Sequence, residues 1–238
     1  MRKIYLVPNL VTTANLFCGF YSLICAVNNE PVQAAWAMVA ATVFDALDGR
    51  IARLAKATSE FGVQYDSLSD LVSFGVAPGF LLYSWALRDL GRVGFVASFL
   101  FLVCGALRLA RFNVTTEMLP KGVFQGLPIP GGAGLVSTFV IFSESMKWNV
   151  EGFRFSLLIA TFLISALMIS SIPFPSFKEL NWRSKGSFGL LIMGVLALVL
   201  VALHPDLMLF VVISGYVISC LIWNSVRALR KGSAPKVA

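Results

Sequence analysis

Long apolar runs, separated by short polar clusters, follow one another from end to end of the chain. Most reach or approach the roughly 20 residues that a helix needs to cross ~30 Å of hydrocarbon at 1.5 Å per residue. Eight transmembrane helices are predicted, near 8–28, 31–57, 67–87, 92–113, 128–147, 153–172, 187–203 and 207–229. The runs lack the alternation of barrel strands, the only other elements that satisfy their backbone in lipid. The pattern therefore predicts an all-α polytopic membrane protein, a single domain over 1–238 without internal repeats. Its longer connections, 114–127 and 173–186, are punctuated by proline and glycine, as in QGLPIPGGAG and SIPFPSFKEL. Pro128 and Pro130 are expected to break or bend the start of the fifth span. Gly75 and Gly79 place a GxxxG on the third span, which would let another helix approach closely. The Met1-Arg2-Lys3 start followed by apolar sequence has the look of a signal peptide. Pro8, Asn9 and the want of a small-residue cleavage site favour a retained first helix.

Composition agrees, with 58% hydrophobic and 13% charged residues against about 25% charged in an ordinary soluble domain. The net charge of +7 raises the question of nucleic acid, but its placement answers it. With the N-terminus in the cytoplasm, all of the nineteen Lys and Arg except Arg88, Arg92, Lys147 and Arg154 fall on the cytoplasmic side. That is the positive-inside pattern, and with eight spans it puts both termini in the cytoplasm. Basic groups there would face anionic lipid, so membrane lipids are the expected partner and nucleic acid is not. Cys18, Cys25, Cys104 and Cys220 all lie in apolar runs, and the single histidine, His204, sits in a turn. Without a CxxC or Cys/His cluster, neither zinc nor disulfide chemistry is expected.

One stretch breaks the apolar rule. Asp45, Asp48, Asp66 and Asp70 supply four of the twelve acidic residues within 26 positions, between AAWAMVAATVF and LVSFGVAPGFLLYSWAL. A carboxylate near the bilayer centre costs about 2.5–3.5 kcal/mol on insertion scales, so four together need a partner, and a divalent cation is the simplest. Asp45 and Asp48 are spaced i, i+3 and Asp66 and Asp70 i, i+4, so each pair shares a helix face. Antiparallel second and third spans, joined by a turn around Gly62, would bring all four to one depth near the cytoplasmic edge of the hydrocarbon. An all-oxygen donor set suits Mg²⁺ or Mn²⁺.

The run Asp45-x2-Asp48-Gly49-x2-Ala52-Arg53-x8-Gly62-x3-Asp66-x3-Asp70 resembles, position for position, the signature of the CDP-alcohol phosphotransferases. Eight fixed positions make chance agreement on the order of 10⁻¹⁰ per starting point. The resemblance implies transfer of a phosphatidyl-type group from a CDP-linked donor to an acceptor hydroxyl, with release of CMP. It implies two divalent ions, Mg²⁺ or Mn²⁺, held by Asp45, Asp48 and Asp66, with Asp70 as further ligand and general base. It places Gly49, Ala52 and Arg53 at the CDP pocket, and it implies a homodimer. Those roles make chemical sense. Paired cations neutralise pyrophosphate oxygens, Arg53 offers phosphate a permanent charge, and a carboxylate can take the acceptor's proton.

Two further stretches carry the resemblance. Pro8-Asn9-Leu-Val-Thr12-Thr13-Ala-Asn15 is similar to a family segment facing the nucleotide, which makes Asn9 and Thr12 CDP-pocket candidates; ordinary helix capping is the other reading. CGALRLARFNV carries Arg108, Arg111 and Asn113 at the cytoplasmic end of the fourth span. The two arginines could snorkel to the interface, or could fix the carboxylate or phosphate of a small acceptor. With GLPIPGGAG, these stretches look like the phosphatidylserine synthase branch, over roughly the first 135 residues and most strongly in 8–70. CDP-diacylglycerol as donor and L-serine as acceptor are thus expected, in a prokaryotic plasma (inner) membrane with the site toward the cytoplasm. Glycerol 3-phosphate or an inositol compound as acceptor, and an archaeal-type lipid donor, stay open. A cation transporter would also use intramembrane carboxylates, but should spread them over several spans and show inverted repeats.

Overall fold

The computed structural model describes residues 6–54, 59–115, 123–175, 199–200 and 202–232. The predicted seventh span, 187–203, lies almost wholly outside them, as do Lys56, Lys121, Lys178, Arg183 and Lys185. Among the described residues seven long helices carry the fold: α1 Leu6–Val27, α2 Pro31–Leu54, α3 Glu60–Leu90, α4 Arg92–Thr115, α5 Ile129–Ser145, α6 Val150–Ile169 and α7 Pro205–Gly232. α1, α3, α4, α6 and α7 are long and apolar enough to cross a bilayer. α2 is made polar by its Asp and Arg residues, and α5, with 17 residues, is short. The chain is an all-α membrane protein. Large apolar side chains such as Leu10, Phe17, Phe99, Ile159, Leu163 and Trp223 stand exposed over several helices, an outer surface made for hydrocarbon rather than water.

One expectation is corrected. The third span was placed at 67–87 after a turn around Gly62, but the helix starts at Glu60 and Gly62 lies in its first turn. Ser59 is the reason: its backbone is extended and its Oγ accepts the Gly62 N–H at 3.0 Å, satisfying a donor that the helix cannot. The two longer connections also pair with each other. β1, Val123–Gln125, pairs antiparallel with β2, Pro173–Pro175, in the register Phe124↔Phe174. Two of the three β2 residues are prolines without an N–H, so β2 offers few donors for any further strand.

Small residues bring the site helices together. Ala34, Ala35, Ala37, Met38 and Ala41 of α2 are buried, and a Cβ at Gly19 of α1 would run into Ser73 of α3. The gap closes through hydrogen bonds: Ser69 Oγ donates to Thr12 O (3.1 Å) and Ser73 Oγ to Asn15 O (3.0 Å). α3 then accommodates Pro78 through π-helical turns at Val72–Val76 and Tyr83–Leu87, so its faces rotate just beyond Asp70. At the far end Arg154 pairs with Asp89 at 2.6 Å, and Trp85 Nε1 donates to Glu144 at 2.7 Å. Phe74, Phe101, Leu127, Ile129 and Met168 fill the core between α3, α4, α5 and α6. Pro128 is the N-cap of α5 and Pro130 sits in its first turn, so the prolines start that helix rather than bend it.

Candidate active site

Asp45 and Asp48 project from the last turns of α2, Asp66 and Asp70 from the second and third turns of α3. One carboxylate oxygen from each of Asp45, Asp48 and Asp66 lies within 4.8 Å of the other two. That is the spacing of ligands around a common cation. Asp66 Oδ1 is buried and has no hydrogen-bond partner among the described residues. A buried carboxylate oxygen left unsatisfied is costly, and a hard cation with oxygen ligands would remove that cost. The residues present fit a divalent ion.

α1 supplies the groups that orient these acids. Thr12 Oγ1 lies 3.0 Å from Asp48 Oδ2 and 3.2 Å from its own helix carbonyl at Pro8, so its one proton serves the acid or the backbone. Asn15 Nδ2 donates to Asp70 Oδ1 at 3.1 Å, and both residues are buried. Asp70 stands outside the triad of Asp45, Asp48 and Asp66, one turn further along α3. The α1–α3 seam continues outward with Thr13 Oγ1 and the Tyr65 hydroxyl, 2.9 Å apart.

Beside the triad lies a cleft of about 210 Å³, lined by Pro8, Asn9, Thr12, Asp48, Gly49, Ala52, Ser59, Gly62, Val63 and Asp66. Four of the five residues assigned to CDP from sequence, Asn9, Thr12, Gly49 and Ala52, meet there. The fifth, Arg53, is on the last turn of α2, and its side chain lies outside the described residues. Gly62 keeps the cleft open, because a Cβ would sit 3.2 Å from Ser59 Oγ and 3.6 Å from Asn9 Oδ1.

The three acceptor candidates of α4 part ways. Arg108 is buried, within electrostatic reach of Asp70, with its guanidinium carbon 5.7 Å from the centre of the Phe112 ring. Arg111 instead reaches a set of backbone carbonyls. Nη1 donates to Ile169 O at 2.8 Å, and Nη2 lies 2.9 Å from Gln125 O, 3.2 Å from Ser170 O and 3.5 Å from Met168 O. It closes the C-terminal end of α6, where the last carbonyls lack intrahelical partners, and ties it to β1. Asn113 Nδ2 donates to Ser67 Oγ at 2.9 Å, joining α4 to the outer face of α3.

Residues 5–172, α1 through α6, match the family described as CDP-alcohol phosphatidyltransferase. The chain belongs to the CDP-alcohol phosphatidyltransferase family. Among proteins similar to this phosphatidyltransferase is one from Helicobacter pylori, 38% identical over 208 residues, which span 86% of this chain and 85% of that protein. Others come from Methanocaldococcus jannaschii (37% over 179 residues, 75% and 78%) and Bacillus subtilis (35% over 173 residues, 73% and 92%). All three carry the name CDP-diacylglycerol–serine O-phosphatidyltransferase.

Sequence reasoning gave Ser59 and Ser69 no role, took Gly62 for a turn within the signature, and weighed Asn15 only as a lesser nucleotide contact than Asn9 and Thr12. Ser59 and Gly62 line the cleft, Asn15 holds Asp70, and Ser69 fastens α3 to α1. Asn15 could have been given more weight. It is three residues after Thr12 and so on the same face of α1, an amide within an apolar run.

Proposed function

We propose that the protein transfers the phosphatidyl group of CDP-diacylglycerol to the hydroxyl of L-serine, giving phosphatidylserine and CMP. The observation that carries this reading is the triad of Asp45, Asp48 and Asp66 opening on the Asn9–Thr12–Gly49–Ala52 cleft. It stands in a chain whose three reported relatives, matched over 73–86% of its length, bear that activity's name.

The cytidine diphosphate end of the donor occupies the cleft, where the bare Gly49 and Gly62 admit it and Asn9 can hydrogen-bond it. Asp45, Asp48 and Asp66, with Asp70 alongside, would hold two divalent ions, Mg²⁺ or Mn²⁺. When bound, these neutralise charge on the pyrophosphate oxygens. Arg53 adds a fixed cation for phosphate. Asn15 fixes Oδ1 of Asp70, and Oδ2, which makes no hydrogen bond among the described residues, accepts the serine hydroxyl proton. The serine oxygen forms its bond to the phosphatidyl phosphorus as the bond from that phosphorus to the CMP oxygen breaks. No covalent enzyme intermediate is needed. Arg108 takes the serine carboxylate beside Asp70, while Arg111 and Asn113 hold α4 against α6, β1 and α3 so that Arg108 faces inward. The chain works as a homodimer in a prokaryotic plasma membrane, with eight spans, both termini in the cytoplasm and the site opening to that side.

The test is CMP release by purified protein from CDP-diacylglycerol with Mg²⁺ or Mn²⁺, supplying L-serine, glycerol 3-phosphate or inositol in turn. Serine-dependent release that Asp70→Asn reduces by about 10²–10⁴-fold, the range for a general base, is the expected result. Release with another acceptor alone keeps the family and refutes serine.

A further inference from the structure

α2 has a second face. Thr42, Val43, Ala46, Leu47 and Arg50 recur at three- and four-residue spacing and form one stripe, on the side of the helix turned away from Asp45, Asp48 and Ala52. This stripe is one wall of a separate groove of about 450 Å³, completed by Gly134 and its neighbours on α5 and by Leu209 and Ile213 on α7. Its volume is in the range of roughly 300–1,000 Å³ usual for small-ligand sites.

The groove is apolar below and cationic at one end. Its hydroxyls turn inward on their own helices: Thr42 Oγ1 donates to Met38 O at 3.0 Å and Thr138 Oγ1 to Gly134 O at 2.6 Å. What they leave facing the groove is hydrocarbon, with Val43 55% and Leu47 42% exposed. Arg50 stands exposed at the end nearest the aspartates and makes no hydrogen bond or ion pair among the described residues. From Thr42 to Arg50 the helix rises about 12 Å. A hydrocarbon slot ending at an exposed guanidinium near the end of α2 complements one acyl chain joined to a phosphate. The lipid being turned over needs its diphosphate on the other side of α2, at the triad.

We propose that this groove holds a resident anionic phospholipid, one chain between α2, α5 and α7 and its phosphate on Arg50, distinct from the lipid substrate. The experiment is native mass spectrometry of the delipidated full-length protein in detergent, offered phosphatidylglycerol or phosphatidylcholine with identical chains. Phosphatidylglycerol is expected to be retained about tenfold better. Arg50→Gln should erase that difference and Arg50→Lys keep part of it, while Ala46→Trp, which fills the slot without touching the charge, should lower retention of both lipids. Equal retention of the two lipids by the unsubstituted protein, or an unchanged preference in Arg50→Gln, overturns the proposal. One-for-one displacement of phosphatidylglycerol by CDP-diacylglycerol assigns the groove to the substrate's chain and also overturns it, as does its loss to a second copy of the chain on dimerisation. No turnover is measured, so the result is independent of the acceptor.

Discussion

At the scale of single residues, the site depends on polar side chains of α1 that touch the acids of the other two helices. Thr12 reaches Asp48, so Thr12→Val leaves the carboxylate present but less firmly oriented. Loss of such a supporting hydrogen bond typically weakens metal binding about 10–100-fold. The Mg²⁺ or Mn²⁺ concentration for half-maximal activity should rise by that factor, with activity recovered at saturating metal; an unchanged metal requirement would remove Thr12 from this role. Asn15 acts on Asp70 instead. A hydrogen bond to a charged group is worth about 1.5–3 kcal/mol, so Asn15→Ala should lower kcat by about 10–100-fold. The metal requirement should stay nearly constant, which separates the two residues in one titration series. The aspartates were legible in the sequence because charge is so rare there. Asn15 was legible as a polar residue on the face of Thr12, but its partner Asp70 was not, because an amide in an apolar run announces burial and not what it meets.

At the scale of elements, α4, α6 and the strand pair are joined through Arg111 and Gly126. Gly126 has φ of +76°, and a Cβ there would collide with the carbonyl oxygens of Met168 and Ser170. Left-handed backbone costs an L-residue about 1–2 kcal/mol before any clash. Gly126→Ala should therefore lower the melting temperature in detergent by several degrees, and an unchanged value would deny that the contact forms. Arg111→Lys replaces a planar fork that spans several carbonyls with a point charge. Its melting temperature should fall by more than its KM for serine rises. A tenfold rise in KM at constant melting temperature would put Arg111 on the acceptor instead. Sequence suggested the acceptor role because two arginines spaced i, i+3 share a face. A helical face does not say what stands opposite, and the end of α6, remote in sequence, stands opposite Arg111.

At the scale of the whole molecule, the acids of α2 and α3 lie at one end of the bundle, and the Arg154–Asp89 pair and the Trp85–Glu144 bond lie at the other. Alkaline phosphatase joined after Gly91 should be active, and the same enzyme joined after Gly232 inactive, if the charge asymmetry sets the orientation; the reverse pattern would invert it. The membrane class, the helices flanking the acids and the family were all fixed locally, by run length, charge scarcity and one spaced motif. Those properties depend only on neighbours along the chain, so the sequence by itself determined them. The pairing of Asn15 with Asp70, the different surroundings of Arg108 and Arg111, and the second groove on α2 were decided by tertiary structure. Each depends on which helix faces which, and that follows from close packing at Gly19, the alanines of α2 and Gly126 rather than from any pattern within a single helix.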